Sequence, residues 1–255
     1  MTDRPIIFSA PMVNAILAGK KNVTRRILKP PLRRLVDTNQ GVDFHHPDGR
    51  QLESDSHSTQ LDLKGFMQDG SIDLCPYGQV GATLWLKEPF YAYGRWERRP
   101  HQKSGREDWH FIDMTLESGH EYCFSQPEHY VKHARANSAP AWWLRPSLFM
   151  PRRASRVELV ITDVRIERLR DITDEQARAE GFSPMYDGVH TYFVNHLPQP
   201  SSGMSLTAVI AFAVYWQKMH GVESWNENPW VWVLSFRRRD KSGESSSAPL
   251  DTEMN

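Results

Sequence analysis

The chain has 255 residues, 39% of them hydrophobic and 24% charged, ordinary values for a globular protein long enough to bury a substantial core. Its 31 Lys and Arg balance 31 Asp and Glu, which is not the charge of a general nucleic-acid coater. Two cysteines make no disulfide framework, no run approaches the ~18 apolar residues of a membrane span, and residues 1–9 carry no signal pattern; the expectation is a soluble, cytoplasmic protein with no membrane partner.

The first element is a short helix over Ser9–Gly19. Pro11 suits its first turn, Met12, Val13, Ile16 and Leu17 recur at helical spacing, and Gly19 fits the position just past the end. A tight turn and a strand follow in Lys20–Leu28. Residues 36–72 read as a loop-rich polar insertion. Tyr77 sits in a Cys-Pro-Tyr-Gly turn, and Ala82–Glu88 reads as a strand with Leu84 and Leu86 on one face and Trp85 expected in the core. Residues 95–140 are rich in charge, Pro and His and read as a second insertion. Ser155–Leu169 alternates like a strand, with a register break expected near Thr162–Asp163. Thr173 and Gln176 have the spacing of a capping box for a helix ending near Glu180–Gly181. A further helix is expected over Leu206–His220, stopped by Gly221. Asn228–Arg239 reads as the last strand, with Trp230, Trp232, Leu234 and Phe236 on one face, and residues 240–255 are expected to be a disordered tail.

Helices and strands do not alternate regularly, which argues for an α+β fold over a doubly wound sheet. No G-x-G-x-x-G follows a strand and no P-loop is present, so no nucleotide cofactor is expected. Cys123, His129 and His133 form C-x5-H-x3-H, with Cys75 as a conceivable fourth ligand, but zinc sites use tighter cysteine pairs; no metal is expected. Two basic clusters stand out, Arg25, Arg26, Lys29, Arg33 and Arg34, and Arg145, Arg152, Arg153 and Arg156. Each reads either as a phosphate-holding patch or as a solvated face.

The segment Ile16–Arg26, with Gly19, Lys20, Lys21, Thr24 and Arg26 at the motif positions, resembles the opening motif of ASCH domains, and most closely that of small bacterial N4-acetylcytidine amidohydrolases. Residues 4–239 also resemble longer phage and prophage proteins of the ASCH class, through stretches such as "CPYGQVG", "LWLKEPF" and "NPWVWVLSFRR". The resemblance implies a PUA-like small mixed β-barrel with flanking helices and long loop insertions, one domain over residues 1–239. It implies Lys21, Thr24 and Glu180 as the catalytic residues of an amidohydrolase acting on an acylated or otherwise modified cytidine. The alternative is a non-catalytic module that binds a modified base, RNA or DNA.

The residues bear on this chemistry directly. A Thr hydroxyl needs a base beside it, and a Lys serves only if its pKa is lowered by burial or neighbouring cations. Lys20, Arg25 and Arg26 supply such cations in sequence. Lys21 and Thr24 are three apart, on opposite faces of a regular strand, so they converge only if the turn through Asn22 is irregular. Glu180, at a helix C-terminus, sits where the dipole disfavours an anion. Arg26 is expected to orient the substrate or Glu180, and Lys20 to contact substrate. Tyr77 can stack on a base or be a plain turn residue. Glu88 faces the pocket or pairs with an arginine.

Overall fold

The computed structural model describes residues 3–29, 44–45, 51–52, 75–100, 105–131, 139–186, 191–194, 204–205 and 207–239. In chain order these form β1 (Arg4–Ile7), α1 (Ala10–Leu17), β2 (Val23–Ile27), β3 (Phe44–His45), β4 (Gln51–Leu52), β5 (Thr83–Lys87), β6 (Phe90–Pro100), β7 (Glu107–Asp113), β8 (Tyr130–Val131), β9 (Ala141–Arg145), β10 (Glu158–Arg168), α2 (Asp174–Ala179), β11 (Pro184–Tyr186), β12 (Thr191–Val194), β13 (Met204–Ser205), α3 (Ala208–His220) and β14 (Trp230–Arg238). The architecture is α+β. No helix among these is long and apolar enough to cross a membrane.

The main sheet has the order β1-β5-β10-β14-β2. Its centre, β10 against β14, is antiparallel over most of both strands, with a register shift that skips Thr162. The shift appears in the sequence as a change of phase: Leu159 and Ile161 are buried, then Val164 and Ile166. One extra residue turns the strand's inner set over, as a bulge does. Val231, Trp232, Val233 and Leu234 of β14 are all buried, because this strand lies between two others with both faces covered. Among the described residues the sheet does not close into a barrel: β1 and β2 remain as its edges.

α1 buries Met12, Val13, Ala15 and Ile16 against this sheet. It ends in a Schellman turn, with Gly19 N–H donating to Ile16 O (3.0 Å) and Lys20 N–H to Ala15 O (2.9 Å). Gly19 has φ +70°, a conformation that glycine adopts without steric cost. α2 begins on the capping box expected from Thr173 and Gln176, and its Asp174 carboxylate accepts from Ala208 N–H (2.9 Å) at the start of α3.

The segment expected as an insertion at 95–140 supplies much of a second sheet, of order β7-β6-β9-β8, which begins at Phe90. Phe90, Ala92, Met150 and Ala154 make a separate small core beneath it. Of the 36–72 insertion, only the β3–β4 pair lies within the described residues, and the tail at 240–255 lies outside them. Trp85 departs from expectation. It faces away from buried Leu84 and Leu86 and is half-buried, with Lys87 and Arg152 cations 5.5 and 5.7 Å from its ring.

Candidate functional site

The turn after α1 is where the local sequence builds a site. The Schellman exit at Gly19 sends the chain directly to the C-terminus of α2. There Asn22 N–H donates to Ala179 O (3.0 Å), while Asn22 O accepts from Phe236 N–H (2.8 Å) on β14. Pinned on both sides, the turn directs the buried Lys21 side chain onto the end of α2. Lys21 Nζ donates to Glu180 O (2.9 Å), Val23 O (2.7 Å) and Glu180 Oε2 (2.5 Å). A cation at a helix C-terminus suits the dipole, and the carboxylate adds a charge-assisted bond.

Glu180 is itself buried and has a second cation. Arg25 donates through Nη1 to Glu180 Oε1 (3.4 Å), and through Nη2 to Glu167 Oε2 (3.2 Å) and Gln176 Oε1 (2.8 Å). Two cations thus offset the unfavourable dipole at the Glu180 carboxylate. Burial pushes the Lys21 ammonium below its ordinary pKa of 10.5. Glu180 opposes that shift, and Arg26 and Arg25 add to it.

This cluster is one wall of a cavity of about 180 Å³ between the end of β1 and the edge strand β2, with α3 on the far side. Because β2 is an edge, residues of both its faces reach the cavity: Thr24 and Arg26 from one, Arg25 from the other. Phe8, Phe182, Phe212, Tyr215 and Trp216 supply aromatic walls, and the exposed Met219 and His220 lie among the lining residues. Thr24 is buried, and its hydroxyl has no hydrogen-bond partner among the described residues. Arg26 bridges the two sheet edges, donating from Nη2 to Ile7 O (2.7 Å) with its guanidinium 4.8 Å from the Phe8 ring centroid. Burial raises the Tyr215 phenol above its ordinary pKa, against a hydrogen bond with Ser9 and the Arg26 charge, so it stays protonated at neutral pH.

Four of the seven site residues read from the sequence, Lys21, Thr24, Glu180 and Arg26, line this one cavity. The other three stand elsewhere. Lys20 is exposed on the turn and is not among the lining residues. Tyr77 packs against the main core outside the lining; burial pushes its phenol up and the nearby Arg26 charge pulls it back. Glu88 is buried in a bidentate pair with Arg156, at 2.8 and 3.0 Å. Glu167, Trp216 and His220 are additions that no sequence spacing signalled.

In the second basic cluster Arg152, Arg153 and Arg156 are each paired with a carboxylate. Arg152 pairs with Asp3 (2.8 Å) and with Glu158, and Arg153 with Tyr122 and Asp113. Arg145 is buried among Phe111, Trp96 and Phe149 at 4.3, 4.8 and 5.0 Å from the ring centroids. Of the first cluster, Arg25 is buried and paired and Lys29 is exposed; Arg33 and Arg34 lie outside the described residues. Comparison with protein-family models, with curated proteins and with solved structures gives no match.

Proposed function

We propose that the chain is an amidohydrolase of the ASCH type that removes an acyl group from a modified cytosine ring held in the β1–β2 cavity. The fold that goes with this reading is a PUA-like small barrel whose seam is the β1–β2 gap. The observation that carries the proposal is the Lys21–Glu180 contact of 2.5 Å in the wall that also holds Thr24. Buried ion clusters are costly to desolvate, and a lysine with a depressed pKa in a cleft is a marker of chemistry. A dry cavity of ~150 Å³ accepts one benzene, so about 180 Å³ suits a single ring with its sugar left outside.

In this reading one proton passes between Nζ and Oε2 across their 2.5 Å contact. When it rests on Glu180, Lys21 has a lone pair and takes the Thr24 proton as Oγ attacks the acyl carbon. The C–N bond then breaks, and Glu180 protonates the leaving amine. Water adds to the acyl-threonine and gives a proton to the Glu180 carboxylate. The Oγ–carbon bond breaks, Oγ recovers its proton from the Lys21 ammonium, and the carboxylic acid leaves.

A second reading has a specific observation behind it: all three Lys21 N–H donors are already used, as a purely structural cap would use them. The same cavity would then bind a modified base without chemistry. The pairing of Arg152, Arg153 and Arg156 with carboxylates speaks against a long phosphate backbone as the ligand, because phosphate contacts dominate nucleic-acid affinity. Hydrolysis of N4-acetylcytidine decides between the two. The enzyme loses about 10²–10⁴-fold in rate in Lys21→Ala and in Thr24→Ala. Absence of turnover in the unaltered protein, with cytidine still bound, leaves the binding module.

A further inference from the structure

Across the main sheet, Arg25 on β2, Val233 on β14 and Arg165 on β10 stand in one row, so their side chains leave the same face. Glu167, two residues beyond Arg165, shares that face. It is 6% exposed and lies between the two arginines. Arg165 Nε donates to its Oε1 (2.8 Å) and Arg25 Nη2 to its Oε2 (3.2 Å).

Arg25 also holds α2 at two points one turn apart. Its Nη2 donates to Gln176 Oε1 (2.8 Å), the same oxygen that accepts from Thr173 N–H (3.0 Å) in the capping box. Its Nη1 donates to Glu180 Oε1 (3.4 Å), while the other Glu180 oxygen holds Lys21. The Glu180 carboxylate is therefore fixed between two cations. Only Lys21 can give up its proton, because a guanidinium does not deprotonate in proteins.

A fixed positive charge beside such a pair favours loss of the proton, and burial leaves little water to screen it. The Glu167 carboxylate acts in the opposite sense. The other charged or titratable groups around the pair are Arg26 on β2, Asp163 and Arg165 on β10, and Tyr215 and His220 on α3. Arg165 is held by Asp163 and Glu167. Between pH 6.5 and 10.0 Tyr215 and His220 are both uncharged, since burial raises the first from 10.0 and lowers the second from 6.5.

We infer that Arg25 is a positioning residue of this site, one that fixes Glu180 and by its charge sets how readily the Lys21–Glu180 pair gives up its proton, with Glu167 as the counterweight. Its bearing on rate rests on the proposed function, while the electrostatic balance needs no turnover.

The pair can therefore be followed in the full chain without substrate, by 13C NMR titration of the Lys21 side chain. Arg25→Gln removes the fixed cation, and the midpoint is expected to rise by about one pH unit or more. Glu167→Gln is nearly isosteric and removes the counterweight, so the midpoint is expected to fall by a similar amount. Arg25→Lys keeps the charge and is expected to stay close to the unaltered midpoint. A residue that only held the fold together would not give opposite shifts. The falling limb of N4-acetylcytidine hydrolysis is expected to follow the same displacements. Midpoints that stay in place, or that move the same way in Arg25→Gln and Glu167→Gln, overturn the inference. If Arg25→Gln does not fold, a midpoint that fails to drop in Glu167→Gln overturns it alone. Opposite shifts without any turnover remove the chemistry and leave the electrostatic control standing.

Discussion

The two larger sheets both carry arginine-rich strands, and they treat the charge in opposite ways. On β6 of the second sheet, Arg95 and Arg99 bond to Glu97, and Arg98 to Glu107, all at the surface and all in ordinary pairs. On β2 of the main sheet, Arg25 is buried against two carboxylates and an amide and still has a donor to spare. Exposed pairs cost little to form and contribute little. Buried ones are held by the whole surrounding fold, and a leftover donor there has no cheap explanation. Density of arginine in the sequence therefore does not mark a site; several charges buried together in one cluster do.

The sharpest way to break this contrast is to remove one charged partner from each region. Glu180→Ala leaves Lys21 and Arg25 facing one another without their common anion, and removal of one partner from a buried cluster costs about 3–5 kcal/mol. Arg98→Ala breaks a pair exposed on both sides, and the expected loss is under about 1 kcal/mol. Urea unfolding of the two variants measures both. Equal losses would mean that the Lys21–Arg25–Glu180 cluster is no more constrained than the surface.

Lys21 gives the next largest effect, through pH. Its folded pKa lies below 10.5 because of burial, while the unfolded chain keeps the ordinary value. In the window between the two, the unfolded state binds more protons, so stability rises with pH across it and levels off above 10.5. The proposed steps need one proton on the Lys21–Glu180 pair, so the rate of N4-acetylcytidine hydrolysis is expected to be level just below that lowered pKa and to fall by up to about tenfold per pH unit above it, as the pair loses its proton. A profile that stays flat up to 10.5 would take the proton-transfer role from the pair.

Much of the frame that holds this site is legible in the sequence. Gly19, Thr173 with Gln176, and the phase change near Thr162 are local signals with local causes, and each has its expected structural counterpart. The convergence of Lys21 with Glu180 is not local. Spacing places Lys21 and Thr24 on opposite faces of a strand. They share a cavity because Lys21 precedes β2, in a turn held by Ala179 and Phe236, and because β2 is an edge. The Arg25 network spans separations of 142 to 155 residues, and Trp216 and His220 arrive on a helix that reads as simply amphipathic. The second sheet was hidden for another reason. Its strands carry alternating charges and aromatics, Arg95, Trp96, Glu97 and then Trp109, His110, Phe111, so that composition reads as loop while period two is present throughout.

Gly94 offers a moderate test that separates the sheets. An added Cβ would stand 2.1 Å from Ile112 O and 2.8 Å from Phe111 Cζ, and the first of these is backbone and cannot swing away. Gly94→Ala therefore forces β6 from β7, at roughly 1–3 kcal/mol. Hydrogen exchange is expected to quicken along β6 and β7, while cytidine binding at the β1–β2 cavity stays as before. Loss of binding in this variant would mean that the second sheet supports the cavity and that the two regions are not separable.

The smallest expected effect belongs to His220, the exposed titratable group among the cavity-lining residues. Partial burial lowers its pKa from 6.5, and the Arg26 charge lowers it further. Lys21, Arg25, Glu180 and Tyr215 line the same cavity, and Trp216 stacks on the imidazole from one turn earlier in α3. A helix C-terminus alone would favour the charged ring, so a lowered value means that burial and Arg26 prevail there. The unfolded chain binds more protons in the window from the folded pKa up to 6.5. Stability therefore falls slightly as pH drops through that window and is unaffected above it. An NMR titration of the His220 ring reads the pKa directly, and Arg26→Gln should move it upward. If the ring titrates at or above 6.5 in the unaltered protein, Arg26 does not direct its charge onto His220.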